Sequence, residues 1–189
     1  MFAWGLAMTA FLAIISPLAF ADWTLATDRS HRTASGIPHV LLRNGWYIEN
    51  YAPDVERARQ SGVIAAAVGE SRVAAAARAD YAEAAAIAIT DGTYLGRTLE
   101  LVGDTAFSYA DLASTVGELL GRDVTYQPLR SAQFIAALRG AGLDEDTAGF
   151  VAGLDTGIAE GALDSADLTL AEMLDRPTTP LIDGLRAVS

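Results

Sequence analysis

Apolar residues along the chain fall into short continuous runs and longer stripes spaced three or four apart, and the two kinds alternate. Val40-Leu41-Leu42, led by His39 within Pro38 to Arg43 and bounded by Gly36 and Gly45, predicts a buried parallel strand. Thr98 to Val102 and Val124 to Gln127 predict two more, the second stopped by Pro128. Val63 to Val68 and Arg72 to Ala77 predict two strands paired around Gly69-Glu70-Ser71. Between them lie helical patterns with their own start and stop residues. Asp22 caps a helix closed by Gly36, and Pro53 opens a short helix over Asp54 to Gln60 that Gly62 ends. An Ala-rich helix begins at about Asp80 and runs to Ile89. Ser108 with Asp111 resembles a capping box for a helix ending at Leu120 before Gly121. Ser131 caps a helix to Arg139, a further helix covers about Glu145 to Glu160, and Thr169 with Glu172 opens a short one to Leu174. Thr179-Pro180 opens the last, to Ala187. Strands alternating with helices give an α/β class with a parallel sheet, and the chain becomes more helical towards its C-terminus. No low-complexity linker divides it, so residues 1–189 read as a single domain.

Residues 1–21 are mostly apolar and carry two readings. Ala19-Phe20-Ala21 after an apolar stretch resembles a signal-peptidase site, which would make the protein an exported one. No Lys or Arg precedes Asp22, however, and signal peptides begin with positive charge. A core strand of a cytoplasmic protein is the other reading.

Composition narrows the chemistry. Of 189 residues, 51% are hydrophobic and 20% charged, as in a globular domain, and the net charge of -11 argues against nucleic-acid and anionic-membrane partners. There is no Cys, which excludes disulfides, thiolate nucleophiles and Cys-ligated zinc. There is no Lys either, since all 13 cationic residues are Arg. P-loop, Schiff-base and Tyr-xxx-Lys chemistries therefore cannot run on this chain's own residues. No G-x-G-x-x-G or G-x-x-G-x-x-G turn occurs to cradle a pyrophosphate. His31 and His39 have no second ligand at metal spacing and read as solvated or core histidines, so no metal site is expected. Gly149, Gly153, Gly157 and Gly161 recur every four residues and predict a helix packed closely on a neighbour, or one that bends.

One stretch stands apart. Asn44 to Tyr51 places two Asn, a Glu, a Trp and two Tyr just after a buried strand, where open α/β sheets bind ligands. Rings stack on flat heterocycles, amides bond carboxamides, and Gly45 permits close backbone approach. An aromatic loop that merely packs the core would look similar, and the residues alone leave both readings open.

Val40-Leu41-Leu42-Arg43-Asn44-Gly45-Trp46-Tyr47-Ile48-Glu49-Asn50-Tyr51 resembles the strand and loop of the NmrA-like atypical short-chain dehydrogenases, in particular the NAD(P)H:quinone oxidoreductase type 2 group. Arg78-Ala79-Asp80-Tyr81-Ala82, Leu99-Glu100-Leu101-Val102-Gly103-Asp104, Val124-Thr125-Tyr126-Gln127 and Arg176-Pro177-Thr178-Thr179-Pro180-Leu181 agree in order and spacing over about Ser16 to Leu185. The resemblance implies a Rossmann-type sheet with a more helical C-terminal substrate lobe. It implies NADP or NAD as cofactor and hydride transfer to a quinone-like small molecule. Asn44, Gly45, Trp46, Tyr47, Glu49 and Asn50 would lie beside the nicotinamide, while a catalytic residue is not identified. The family's opening strand, glycine-rich turn and helix have no counterpart here, so the resemblance also implies an N-terminally truncated sheet. A non-catalytic NAD(P)-sensing module of the same family is the alternative. Oligomeric state is left open, a homo-oligomer included.

Overall fold

The computed structural model describes residues 13–15 and 37–189. The helix expected from Asp22 to Ser35 lies outside the described residues, as does most of the apolar segment 1–21. Within that segment Ala13–Ile15 forms strand β1, which pairs in parallel with β2, Leu41–Asn44. On its other side β2 pairs in parallel with β5, Thr98–Leu101, in the order β1-β2-β5. The central strand alternates buried Leu42 and Asn44 with half-buried Leu41 and Arg43.

A second parallel pair joins β3, Val63–Ala66, to β7, Thr125–Pro128. Here the structure departs from the sequence expectation. Arg72 to Ala77 does not pair with Val63 to Val68. Only β4, Arg72–Val73, is a strand, and it runs antiparallel to β6, Phe107–Ser108. Ala74 to Ala77 continues as buried extended chain whose backbone bonds go elsewhere: Ala74 N–H donates to Leu163 O and Ala76 N–H to Trp46 O. Ala76 O and Ala74 O accept from Ile48 and Gly103. Four successive methyl side chains let three separate backbones approach this run, which a simple hairpin partner would have blocked.

The helices follow their start and stop residues. α1 (Ala52–Ser61) has Pro53 in its first turn, α2 is Arg78–Thr90, and α3 is Tyr109–Leu120. α1 and α3 both end at a glycine with positive φ, Gly62 and Gly121. The Ser108–Asp111 capping box is formed reciprocally as expected. α4 is Ser131–Gly140, α5 Glu145–Ala159, α6 Thr169–Leu174 and α7 Leu181–Arg186. Two expected caps belong to neighbours instead. Ser131 is the first helical residue, and Gln133 reaches back to accept from Arg130 N–H. Thr169 N–H is held by the Asp167 carboxylate. A carboxylate or amide that can reach an orphan helix N–H serves as well as the residue nominally at the cap.

On α5, Gly149 and Gly153 do not mediate close packing: among the described residues, nothing lies within 4 Å of a Cβ built on either. Its buried stripe is Ala148, Ala152, Asp155 and Ile158, and α5 packs on α4 through Ala148 and Ala152 with Phe134 and Leu138. The main core lies under the loop that follows β2, with Ile48, Tyr51, Val55, Phe107, Leu112 and Leu185 in one cluster.

Candidate functional site

Strands β2 and β5 end level, Asn44 in register with Leu101, so their following loops leave from one edge. Gly45 lets them meet. Its N–H donates to Leu101 O at 2.8 Å, and a Cβ there would lie 2.9 Å from Val102 Cγ1. The loop then crosses buried Ala76, which brackets it through Trp46 O and Ile48 N–H, and closes in a short 3-10 turn, Ile48–Tyr51.

Each expected site residue has a definite place. Asn44 is 7% exposed; its Nδ2 donates weakly to Tyr47 Oη at 3.4 Å and its Oδ1 is buried without a partner. Trp46 packs half-buried against the core with its indole Nε1 buried and unbonded. Tyr47 stands edge-on to Tyr81 at 5.2 Å, with the Arg78 guanidinium over its ring. Glu49 Oε1 accepts the Arg78 N–H at 2.8 Å, so it caps α2 from outside, where the N-cap residue Ala77 has no side chain to do so. Its second oxygen, Oε2, is buried without a partner. Asn50 is half-buried and donates its backbone N–H to Tyr47 O.

Five buried side-chain polar atoms lack a partner among the described residues: Arg43 Nε, Asn44 Oδ1, Trp46 Nε1, Glu49 Oε2 and Tyr51 Oη. All fall within nine consecutive residues. Buried polar groups are almost always bonded, because leaving one unmet costs about 1–3 kcal/mol. A core assembled only for packing would scatter such exceptions or lack them. Their concentration in one loop makes this stretch the candidate site.

The surroundings hold three residues that the sequence reading did not single out. Tyr81 Oη donates to Trp46 O at 3.3 Å and lies beside Gly45. Asp80 was expected only to begin the Ala-rich helix, yet it is 0% exposed and fastens the C-terminal segment through Thr179 and Arg176. Asp155, on α5, is 7% exposed and accepts Ala67 N–H at 2.6 Å, just past the end of β3. It was readable as the one carboxylate in the helix's buried stripe.

Burial, the larger cause, and the nearby Asp54 charge push Asp155 up to about 6, against the pull of the Ala67 N–H. The native state therefore holds this proton more tightly than the unfolded chain. The stabilisation is full below the unfolded value and is lost as pH rises through about 6. Asp155→Asn keeps an acceptor for Ala67 but cannot ionise. Relative to wild type, the variant should gain about 2 kcal/mol between pH 4 and pH 7. Urea unfolding at several pH values checks this, and a stability difference independent of pH would refute it.

Comparison with known proteins places this geometry. No protein-family model matches the chain. It is 40% identical to quinone oxidoreductase 2 of Escherichia coli (strain K12) over 170 residues, 90% of this chain and 59% of that protein. The crystal structure of that NADPH-dependent quinone oxidoreductase complexed with NADPH superposes with a TM-score of 0.82 at 39% identity, covering 92% of this chain and 61% of the other. The chain is homologous to this quinone oxidoreductase and similar to NmrA-like NAD(P)-dependent reductases. Its fold is accordingly the Rossmann-like α/β fold of NAD(P)-binding reductases. The Citrobacter sp. triphenylmethane reductase, solved with NADP(H), is a more distant relative at 26% identity, with a TM-score of 0.80 over 87% of this chain and 57% of its own. This chain thus spans about three fifths of the length of each of these proteins.

Proposed function

We propose that this NmrA-like chain forms the nicotinamide side of an NAD(P)H-dependent oxidoreductase that reduces a quinone or similar small electrophile. The observation that carries the reading is the cluster of unpartnered buried atoms between Arg43 and Tyr51. Its chemistry fits a nicotinamide: Asn44 Oδ1 and Glu49 Oε2 are free acceptors, and Trp46 Nε1 is a free donor, which together suit a carboxamide that both donates and accepts. The names of the relatives support it, since they include an NADPH-dependent quinone oxidoreductase and an NAD(P)H azoreductase.

In this reading Asn44 and Glu49 orient the carboxamide, Gly45 lets the ring approach the ends of β2 and β5, and Trp46, Tyr47 and Asn50 wall the site. NADPH or NADH supplies the hydride when bound. The protein contributes orientation and exclusion of water, which needs no lysine. The enzyme is read as a single-domain cytoplasmic protein. Among the described residues, no helix is long and apolar enough to cross a membrane.

The test is NADPH binding by the purified chain, followed by NADPH oxidation with menadione as acceptor. Asn44→Ala removes an atom that bonds nothing and a weak bond to Tyr47, so stability should change little. Turnover should fall roughly tenfold or more, the loss expected for one hydrogen bond to the reacting group. Equal loss of stability and turnover would argue that Asn44 is structural. Binding of NADPH without menadione-dependent oxidation would favour an NAD(P)-sensing module. No binding at millimolar NADPH would sink both.

A further inference from the structure

Asn44 and Gly45 are adjacent in sequence, and the pair carries a chemical liability separate from the proposed reaction. The backbone nitrogen that follows an asparagine can attack the side-chain Cγ and close a five-membered ring. Glycine in the second position leaves that nitrogen unshielded, which makes Asn-Gly the pair that closes most readily. The fold keeps the glycine in place: a Cβ at position 45 would lie 2.9 Å from Val102 Cγ1 and 3.3 Å from Leu101 O. The only other asparagine of the sequence, Asn50, precedes Tyr51, whose side chain hinders the same attack.

The two reacting groups are restrained unequally. The electrophile is held weakly: Asn44 Nδ2 has only the 3.4 Å bond to Tyr47 Oη, and Oδ1 is buried without a partner. The nucleophile is held firmly, because Gly45 N–H donates to Leu101 O at 2.8 Å. Ring closure needs this nitrogen to lose its proton and to turn towards Cγ, out of the extended strand conformation. Both moves break the bond to Leu101. Asn44 and Leu101 are the last paired residues of β2 and β5, so that bond lies at the end of the ladder, where strands part most easily.

We propose that Asn44-Gly45 is a site of spontaneous deamidation, gated by local parting of Gly45 from Leu101. Gly45 N bonds to Asn44 Cγ, the Cγ–Nδ2 bond breaks, and ammonia leaves with the proton lost from Gly45. Water then opens the succinimide at either carbonyl and gives aspartate or isoaspartate. Water is the only co-reactant, and nothing is oxidised or reduced. Isoaspartate lengthens the main chain by a methylene at the end of β2. Aspartate places a charge on a side chain that is 7% exposed and has one weak partner. Either product damages the loop, which makes the pair a slow, irreversible clock on the site. That consequence rests on the oxidoreductase reading above, whereas the chemistry itself does not.

Tryptic cleavage after Arg43 and Arg57 releases residues 44–57 as one peptide that holds both asparagines. Purified protein aged in mildly alkaline buffer should show this peptide gaining about one mass unit, placed on Asn44 by fragmentation, with Asn50 unchanged. The native chain should react roughly a hundredfold more slowly than the urea-unfolded chain, because the strand end must part first. Below the unfolding transition its rate should be flat in urea, since parting one strand end exposes little surface. A native rate that climbs with the global unfolding constant overturns the local gate. A native chain still unmodified well past the hundredfold delay overturns the site. NADPH separates this proposal from the oxidoreductase reading. With the nicotinamide seated against Asn44, NADPH at ten times its Kd should slow the modification about tenfold. Modification of Asn44 that NADPH does not slow supports the labile pair and counts against that placement of the nicotinamide.

Discussion

Gly103→Ala should leave little or no folded protein. A Cβ at this position would sit 2.3 Å from Ala75 O and 3.0 Å from its carbonyl carbon, with Ala74 C at 3.3 Å. All three atoms are backbone, so no rotamer change relieves the clash. Gly103 N–H donates to Ala74 O at 3.1 Å, so the two chains are held at this separation by a bond that the methyl would break. Overpacking of this kind costs about 3 kcal/mol or more when the surroundings are rigid. The damage would also travel, because the displaced run Ala74–Ala77 brackets the Trp46–Ile48 loop on its other side. Gly149→Ala is the matched control. It adds a methyl where no described residue lies within 4 Å, in the middle of α5, and should stabilise by about 0.5–1 kcal/mol through helix propensity. Soluble yield and urea unfolding of both variants decide the matter. A Gly103→Ala protein that unfolds like wild type would show that this backbone contact is not as close as described.

Asp80→Ala should cost about 3 kcal/mol, the effect of stripping several bonds from one buried charged acceptor. Its two oxygens take Thr179 N–H at 2.8 Å, Thr179 Oγ1 at 3.0 Å and the Arg176 guanidinium at 2.9 Å. Arg176 is 41% exposed and also reaches Glu83, so its share is small. The N–H and hydroxyl of half-buried Thr179 carry most of the loss. Next to them Asp104 accepts Thr178 N–H and its hydroxyl, at 3.0 and 2.8 Å. Two carboxylates from distant elements therefore clamp residues 176–179 and set where α7 begins. Asp80→Asn should fall between wild type and Asp80→Ala, since an amide oxygen still accepts from Thr179. Denaturant melts rank the three, and limited proteolysis should show earlier cleavage around residues 175–180 in Asp80→Ala. Equal melts for all three would refute the clamp.

What could be read from the sequence is what residues declare to near neighbours. Ser108 with Asp111 and Gly121 bound α3 correctly because a capping box and a positive-φ stop involve residues three apart or fewer. Val40-Leu41-Leu42 gave a parallel strand because a short apolar run between glycines suits a strand buried on both sides. Ala74–Ala77 was read as half of a hairpin because extended Ala chain carries no mark of its partners. Its partners prove to be Trp46, Ile48, Gly103 and Leu163. Glu49 and Asp80 show the same limit at the candidate site. Glu49 bonds a residue 29 positions away, and Asp80 bonds residues 96 and 99 positions away. Nothing in local spacing announces such pairs. The loop itself was legible by its residue types, but the sequence could not separate bonded side chains from stranded ones. That distinction singles out Asn44, Trp46, Glu49 and Tyr51 and leaves Tyr47 to its ring contacts.

The bond from Glu49 to Arg78 N–H also bears on protein engineering. The stretch Arg43–Tyr51 looks like a self-contained cassette that could be moved into another α/β scaffold. It is not one. Its glutamate completes the first turn of a helix that starts 29 residues later, and the Arg78 guanidinium of that turn covers its Tyr47 ring. A graft that carried only the nine residues would leave Glu49 with both oxygens stranded. The smallest portable unit is the loop together with the opening of α2, two pieces of chain that must be transplanted as a pair.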